Sequence, residues 1–408
     1  MNKSAGSPLA QELINSADVF SLIATGKANS RSTLLDALGI SRATLTSRLT
    51  PLLSADIVRE AEKTLPSGGR PSRVLEVNGE AGYILAANIG EAYIRVAVLD
   101  LRPEIVAERV FNFTTRSDPA GTLDIISREF KELVASSGLS DRIVLGIGLS
   151  LPAPIDIRDS SVVRPSVLPE WGGFDIKGWF KCRYDVPVFV EKDVNLMAVY
   201  EHRRNFPDVG DMFFVKAGTG IGSGIITDGK IFRGAQGGAG DIGHIQFYSE
   251  NAPLCRCGKF GCVEARAAGW ALARDLRVAG YQAENARDVV HLVAQNKPEA
   301  IMSIRKSGQT IGEAIADAVS LLNPSLIVVG GTLAQAHDFL LSGVRELVYQ
   351  RCLPLATHDL KIVLSETVVD SALSGAAYLV LENIFAPGKT VDFLERYARQ
   401  REPIANEI

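Results

Sequence analysis

No run of about 18 uninterrupted apolar residues occurs in this chain of 408 residues, which excludes an ordinary membrane-spanning helix. The start, MNKSAGSPLAQEL, lacks the basic segment and apolar core of a secretory signal, so the cytoplasm is the expected compartment and no membrane partner is expected. Cysteine is scarce, with only Cys182, Cys255, Cys257, Cys262 and Cys352, and an odd count in an unsecreted chain argues against a disulfide framework. Neither a repeat of about 20 to 50 residues nor a low-complexity segment stands out. What is present is a long chain, 46% hydrophobic, with enough apolar material for two or three globular domains.

The net charge of −4 conceals an asymmetry. Between Lys27 and Arg73 stand eight basic residues (Lys27, Arg31, Arg42, Arg48, Arg59, Lys63, Arg70, Arg73) and four acidic ones (Asp36, Asp56, Glu60, Glu62). A small basic module therefore precedes an acidic body, and only that module is suited to approach a polyanion.

Apolar spacing at Leu9, Leu13, Ile14, Val19, Phe20 and Ile23 predicts one or two helices ending near Gly26. A second helix opens at Ser30 to Thr33 and runs to Leu38; Gly39 breaks it, and Ser41 caps a third from Arg42 to about Ser54. Helix, glycine turn and serine-capped helix is the helix-turn-helix plan. Residues Ile57 to Glu60 and Ser72 to Val77 then read as strands around the turn Pro66 to Pro71, a hairpin wing. In such a module the first turns of the second helix enter the major groove. Ser41, Arg42, Thr44, Ser47 and Arg48 fit that place; Arg42 and Thr44 are the candidates for base edges, Ser47 and Arg48 for phosphates, and Arg70 and Arg73 for backbone or minor groove.

Beyond Asn78-Gly79 apolar strands alternate with amphipathic helices: Tyr83 to Ile89, Ile94 to Asp100, the helix Leu123 to Ser136, and Ile143 to Leu149. Later strands are Val188 to Val190, Met212 to Lys216, Gly224 to Thr227, and Leu326 to Val329 after the helix Ile311 to Leu322. This is an α/β pattern with mixed sheets. The segment Asp392 to Arg401 reads as a charged surface helix.

Three of the cysteines fall within eight residues, Cys255 to Cys262, eleven residues after His244. Three thiolates and an imidazole complete a tetrahedral zinc site with no open position, so the ion, one per chain, would be structural. Gly218 to Gly224 follows a strand; its glycines allow a tight hairpin whose amides could approach a phosphate, although such a hairpin is as often structural. Asp193 ends a strand and could act as a general base. With Asp241, His244 and Glu264 it supplies groups that can bond the hydroxyls of a sugar.

These segments resemble the ROK family (repressors, open reading frames and kinases) over nearly the whole chain. The resemblance rests on Gly240-Asp241-Ile242-Gly243-His244, Cys255-Arg256-Cys257-Gly258, Gly261-Cys262-Val263-Glu264, Gly218 to Gly224, Gly148 to Asp156, and Asn323-Pro324 to Gly330-Gly331. It implies an N-terminal winged helix-turn-helix (1–78) and a two-lobed, actin-like ATPase body, with first lobe 79–195 and second lobe 196–408 carrying the zinc loop. The C-terminal helix would return to the first lobe. It also implies that Asp193, Asp241, His244 and Glu264 contact a sugar between the lobes. Family kinases open the body with Asp-x-Gly-Gly-Thr, whereas this chain reads Asn88-Ile89-Gly90-Glu91-Ala92-Tyr93. A carboxylate at ~4 Å from a phosphate charge costs roughly 4 kcal/mol at an effective dielectric of ~20, which opposes ATP. Where kinases have Glu-Asn-Asp, this chain has Glu191-Lys192-Asp193; a lysine turned outward is the plainer expectation, an anionic effector the other. The expected function is a sugar-responsive transcription regulator, a repressor of carbohydrate genes, acting on operator DNA as a homodimer or dimer of dimers. The alternative is an active sugar kinase with an accessory N-terminal domain and Asp193 as base.

Overall fold

The computed structural model describes residues 16–65, 72–90, 93–112, 118–163, 168–248, 250–367, 371–386 and 389–405. These fall into two units. The first comprises the described residues of Met1–Leu151, Phe174–Glu191 and Leu373–Ile408; the second, those of Pro152–Gly173 and Lys192–Ala372.

The first unit begins with three helices, α1 (Ser16–Ala24), α2 (Arg31–Leu38) and α3 (Arg42–Ser54). Ser30 and Thr33 form a reciprocal capping box at the start of α2, and Gly39 at φ 61° ends that helix by donating its amide to the Leu35 carbonyl. The Ser41 hydroxyl accepts the Thr44 amide at 3.1 Å to start α3. Leu34, Leu45, Leu49 and Leu52 are buried and knit the three together. Strand β1 (Val58–Leu65) then pairs antiparallel with β2 (Ser72–Val77), with a register shift between Glu60 and Thr64. The turn joining them, with Arg70, lies outside the described residues, as do residues 9–15 of the expected first helix.

A five-stranded sheet follows, built from β3 (Tyr83–Ile89), β4 (Tyr93–Leu99), β5 (Ile105–Asn112), β6 (Val144–Leu151) and β7 (Val188–Lys192) in the order β5-β4-β3-β6-β7. Every residue of β3 is buried, as a strand covered on both faces requires. Helix α4 (Pro119–Ser136), capped by Asp118 on the Gly121 amide at 2.9 Å, packs on β4.

The second unit starts with α5 (Asp193–Arg204) and holds β8 (Met212–Ala217), β9 (Ile221–Thr227) and β10 (Lys230–Phe232). After α6 (Val263–Ala267), α7 (Gly269–Val278) and α8 (Pro298–Leu322) come β11 (Leu326–Gly330), α9 (Asp338–Arg351) and β12 (Lys361–Leu364). The strand order is β10-β9-β8-β11-β12, with β8, β11 and β12 parallel and β9 antiparallel to β8 and β10. Each unit thus repeats one plan: three antiparallel strands, then two more added beyond the first of them. Helices α8 and α9 meet at backbone distance, since a Cβ on Gly308 would lie 2.2 Å from the Leu340 carbonyl oxygen.

The chain closes in the first unit with α10 (Ser371–Ile384) and α11 (Thr390–Ala405). Helix α10 crosses β6 where side chains are missing: a Cβ on Gly148 would stand 2.8 Å from that of Ala376. The expectation of a charged surface helix at Asp392 to Arg401 is corrected, because Phe393 and Tyr397 are buried and give α11 an apolar face. The Tyr397 hydroxyl donates to the Ala81 carbonyl at 2.6 Å, and Arg401 donates to the Ala55 carbonyl at 2.9 Å. Phe385 stacks on Phe20 of α1, with ring centroids 3.8 Å apart. No helix among the described residues is long and apolar enough to cross a membrane.

Candidate functional site

The cysteine-rich loop folds as a small knuckle. The Cys255 amide donates to the Lys259 carbonyl at 2.8 Å and the Gly258 amide to the Cys255 carbonyl at 2.9 Å, a turn that Gly258 at φ 86° permits. Ligand atoms of His244, Cys255, Cys257 and Cys262 all lie within 4.8 Å of one another. His244 Nδ1 is 3.7 Å from Cys255 Sγ, and Cys257 Sγ is 3.7 Å from Cys262 Sγ. A tetrahedron with Zn–S bonds of about 2.3 Å has edges of about 3.8 Å, so the Cys257 and Cys262 thiols already stand at the spacing of zinc ligands. Burial raises the Cys255 thiol and pushes that of Cys262 up to about 12. Crowded neutral thiols of this kind gain from a cation that converts them to bound thiolates.

Helix α6 begins directly after Cys262, which places Glu264 one turn from the knuckle. Its buried carboxylate accepts from the Ile221 amide, the Trp270 indole and the Arg256 guanidinium, each at 3.3 Å. Segment 240–244 lies flat on β9: the Gly240 carbonyl accepts from both the amide and the hydroxyl of Ser223, at 2.9 and 2.8 Å. A Cβ on Gly243 would approach the Ile221 carbonyl oxygen to 2.2 Å, so only glycine allows this contact.

Asp193 does not end a strand as expected; it is the first residue of α5, and its Oδ1 accepts the Val194 amide at 2.7 Å. The strand runs two residues further than expected, through Lys192. Asp193 Oδ2 forms a close ion pair with Lys216. Lys192 is not turned outward: its side chain keeps 10% of its exposure and its Nζ lies 3.5 Å from Asp241 Oδ1. Three of the expected sugar-facing carboxylates, Asp193, Asp241 and Glu264, are therefore each matched to a cation, Lys216, Lys192 and Arg256. Lys216 and Arg256 were absent from the expected set. The signal for Lys216 was its parity, since it precedes Gly218 by two positions on one face of a strand. Gly222 and Gly224 belong to β9 itself, which leaves Gly218 to Gly220 as the turn.

In the other unit, Asn88 is buried at the end of β3, and its side-chain oxygen accepts the Ser150 hydroxyl at 2.8 Å. The Gly90 amide returns to the Tyr93 carbonyl at 2.9 Å; Glu91 and Ala92 lie outside the described residues.

On α3 the exposed face carries Arg42, Ala43, Thr46 and Thr50, with Ser41 exposed at its cap; Thr44, Ser47 and Arg48 are half-buried. The Thr44 hydroxyl bonds Ser41 Oγ at 2.8 Å, which ties it to the cap. Thr46, one turn after Arg42, was absent from the expected set although its four-residue spacing marks the same face. Arg73 on β2 is exposed and pairs with Glu60 at 3.2 Å, as does Arg31 from α2.

The ROK family model matches residues 84–383. A xylose repressor of Bacillus spizizenii is 26% identical over 358 residues, 87% of this chain and 91% of that protein. The DNA-binding transcriptional dual regulator NagC of Escherichia coli is 28% identical over 390 residues, 89% of this chain and 91% of that one. Among solved structures, a ROK family transcriptional regulator described as a homolog of the E. coli MLC protein aligns with a TM-score of 0.79 at 25% identity, covering 94% of this chain and 99% of its own. A ROK family glucokinase from Streptomyces griseus, solved with glucose and AMPPNP, aligns with a TM-score of 0.61 at 25% identity; it covers 73% of this chain and 99% of its own.

Proposed function

This chain belongs to the ROK family, and from that premise we propose that it is a sugar-responsive, DNA-binding transcriptional repressor of carbohydrate-metabolism genes. The observation that carries the reading is the extent of the alignments. The solved regulator spans 94% of the chain and the glucokinase 73%, and a capped three-helix module with a β-hairpin stands ahead of residue 84, where the family match begins. Residues 1–78 serve as the DNA-binding domain, 79–195 as the first lobe and 196–408 as the second, except that Pro152–Gly173 and Lys192 onward group with the second unit and Leu373–Ile408 with the first. Arg42 and Thr44 read base edges; Ser41, Ser47, Arg48, Arg70 and Arg73 hold backbone. Asp193, Asp241, His244 and Glu264 bond the hydroxyls of the effector.

His244, Cys255, Cys257 and Cys262 hold one structural zinc. Bound there, the ion supplies a closed staple and no Lewis-acid position. The imidazole offers Nδ1 to the thiols, and its fixed ring orients the other nitrogen for the effector. Phosphoryl transfer is not part of the proposal: Asn88 spends its side-chain oxygen on Ser150, and Asp193 is held by Lys216. The protein acts in the cytoplasm as a homodimer, or a dimer of dimers, on paired half-sites.

The test is selection of sheared genomic DNA on purified protein, followed by sequencing and by anisotropy titration of the recovered sites. A shared site, bound with an affinity that falls steeply with salt, is expected. Recovery of no sequence above background would refute the DNA-binding reading. ADP release in the presence of ATP and hexoses, above that of an Asp193→Asn variant, would restore the kinase alternative.

A further inference from the structure

Resting on the reading of the second unit as the effector pocket, we propose that the effector is an anionic sugar derivative, a sugar carrying a carboxylate or a phosphate. Its charged group is seated against the β8–β9 hairpin by Lys192, Lys216 and Arg256.

Glycine stands at every second position of the hairpin from Gly218 to Gly224. Lys216 stands opposite Gly222 in the ladder. A Cβ on Gly218 would lie 3.6 Å from Lys216 Cε, one on Gly220 3.7 Å from Arg256 Nη2, and one on Gly222 4.0 Å from Lys192 Cε. Gly222 lies on β9, and Gly218 and Gly220 flank the tip of the turn. Each borders a different cation, with Glu264 Oε2 nearer still to a Cβ on Gly220, at 2.7 Å, and Val194 of α5 nearer to one on Gly222, at 3.5 Å. Three cations are thus strung along one hairpin, and a compact anion beside its tip would have charged donors on several sides.

The charges also balance. Asp193, Asp241 and Glu264 are offset one for one by Lys216, Lys192 and Arg256, so an incoming anion meets no uncompensated carboxylate. A neutral amide at 192 would leave this set at −1 and favour a neutral ligand. An ammonium is costly to bury, and Lys192, 8% exposed, is buried beside the carboxylates that a neutral sugar would need as acceptors. Lysine and arginine have donors only, which suits an anion that can accept from several at once.

The experiment is calorimetric titration of the full-length protein with matched triplets, each a neutral sugar, its uronic acid and its 6-phosphate, across hexose and N-acetylhexosamine rings, with inorganic phosphate as a further probe. In one ring series an anionic member should bind at least about a hundredfold more tightly than its neutral parent, and the tighter of acid and phosphate names the group. Lys192→Asn should weaken that ligand at least about tenfold and shift selectivity toward the neutral parent, whereas Lys192→Arg retains the preference. Thermal melts of each variant identify any that fail to fold, and Lys192→Arg is the arm that keeps charge and bulk. Neutral sugars binding as tightly as their anions, or a Lys192→Asn variant with unaltered selectivity, would overturn the inference and leave the sugar-effector reading standing. Inorganic phosphate binding as tightly as the sugar phosphate would overturn it as well, by showing an anion site without a sugar. Binding of no triplet member would remove the sugar-effector reading itself.

Discussion

Zinc entering the knuckle should expel at least two protons per ion near pH 7. A cysteine ligates as its thiolate. Burial raises the thiol of Cys255, and takes that of Cys262 to about 12, above the ordinary thiol value of about 8.5. Both are therefore neutral in the metal-free protein, and both must lose a proton. With two protons in the binding equilibrium, apparent affinity rises about a hundredfold per unit of pH through the neutral range. Titrations of zinc into chelator-stripped protein, in two buffers of different ionisation enthalpy, read the proton count directly; competition with a chromophoric chelator across neutral pH reads the slope. Release of one proton or fewer, or a flat slope, would refute the claim that buried neutral thiols precede the metal. The metal-free fold responds with its own sign. Raised thiol values favour the protonated groups in the folded state, so their contribution is fully present below about 8.5 and is lost as pH climbs toward the folded value of about 12 for Cys262. Chemical denaturation of stripped protein should show this alkaline loss, and zinc should abolish it.

Gly148→Val should lower stability by about 1–3 kcal/mol in urea unfolding, because the new side chain drives into Ala376 of α10; an unchanged midpoint would mean that the helix does not cross there. Tyr397→Phe deletes the bond to the Ala81 carbonyl and should cost about 0.5–1.5 kcal/mol by the same assay. Arg42→Ala, on the exposed face of α3, should weaken binding to the selected DNA by about 1–3 kcal/mol with little change in melting temperature. Gly220→Ala should destabilise the effector pocket: its methyl would lie 2.7 Å from Glu264 Oε2, and melting curves with ligand should lose part of the ligand-induced shift.

Local signals carried the elements that local chemistry decides. Ser30, Gly39 and Ser41 announced the ends of α2 and α3, and the cysteine spacing announced the knuckle, because caps and chelates depend on residues a few positions apart. The direction of Lys192 was not legible: it depends on Asp241, 49 positions later, being brought beside it. The apolar face of α11 was obscured for a similar reason. Phe393 and Tyr397, four residues apart, are a narrow stripe among charges, and what buries them arrives from Ala81 and Phe385. The duplicated sheet plan left no sequence period, since strand order is a property of pairing, and each unit fills its sheet with different residues. Asp193 was misplaced by a single element boundary, where a strand passes into a helix without a loop.

The fastening of α1 by Phe385, and of its neighbourhood by Tyr397 and Arg401, also sets an order of events during synthesis. Phe20 stands 365 positions before the ring that stacks on it, so α1 emerges well ahead of its partner. Until Phe385 emerges, Phe20 has no ring to stack on, and β6 has no helix over Gly146 and Gly148. A chain that stops short of α10 would keep the caps of α2 and α3 and lose the contacts that Phe385 and Arg401 make with Phe20 and Ala55. The packing of α1 is therefore a late event, one that the caps of α2 and α3 do not need.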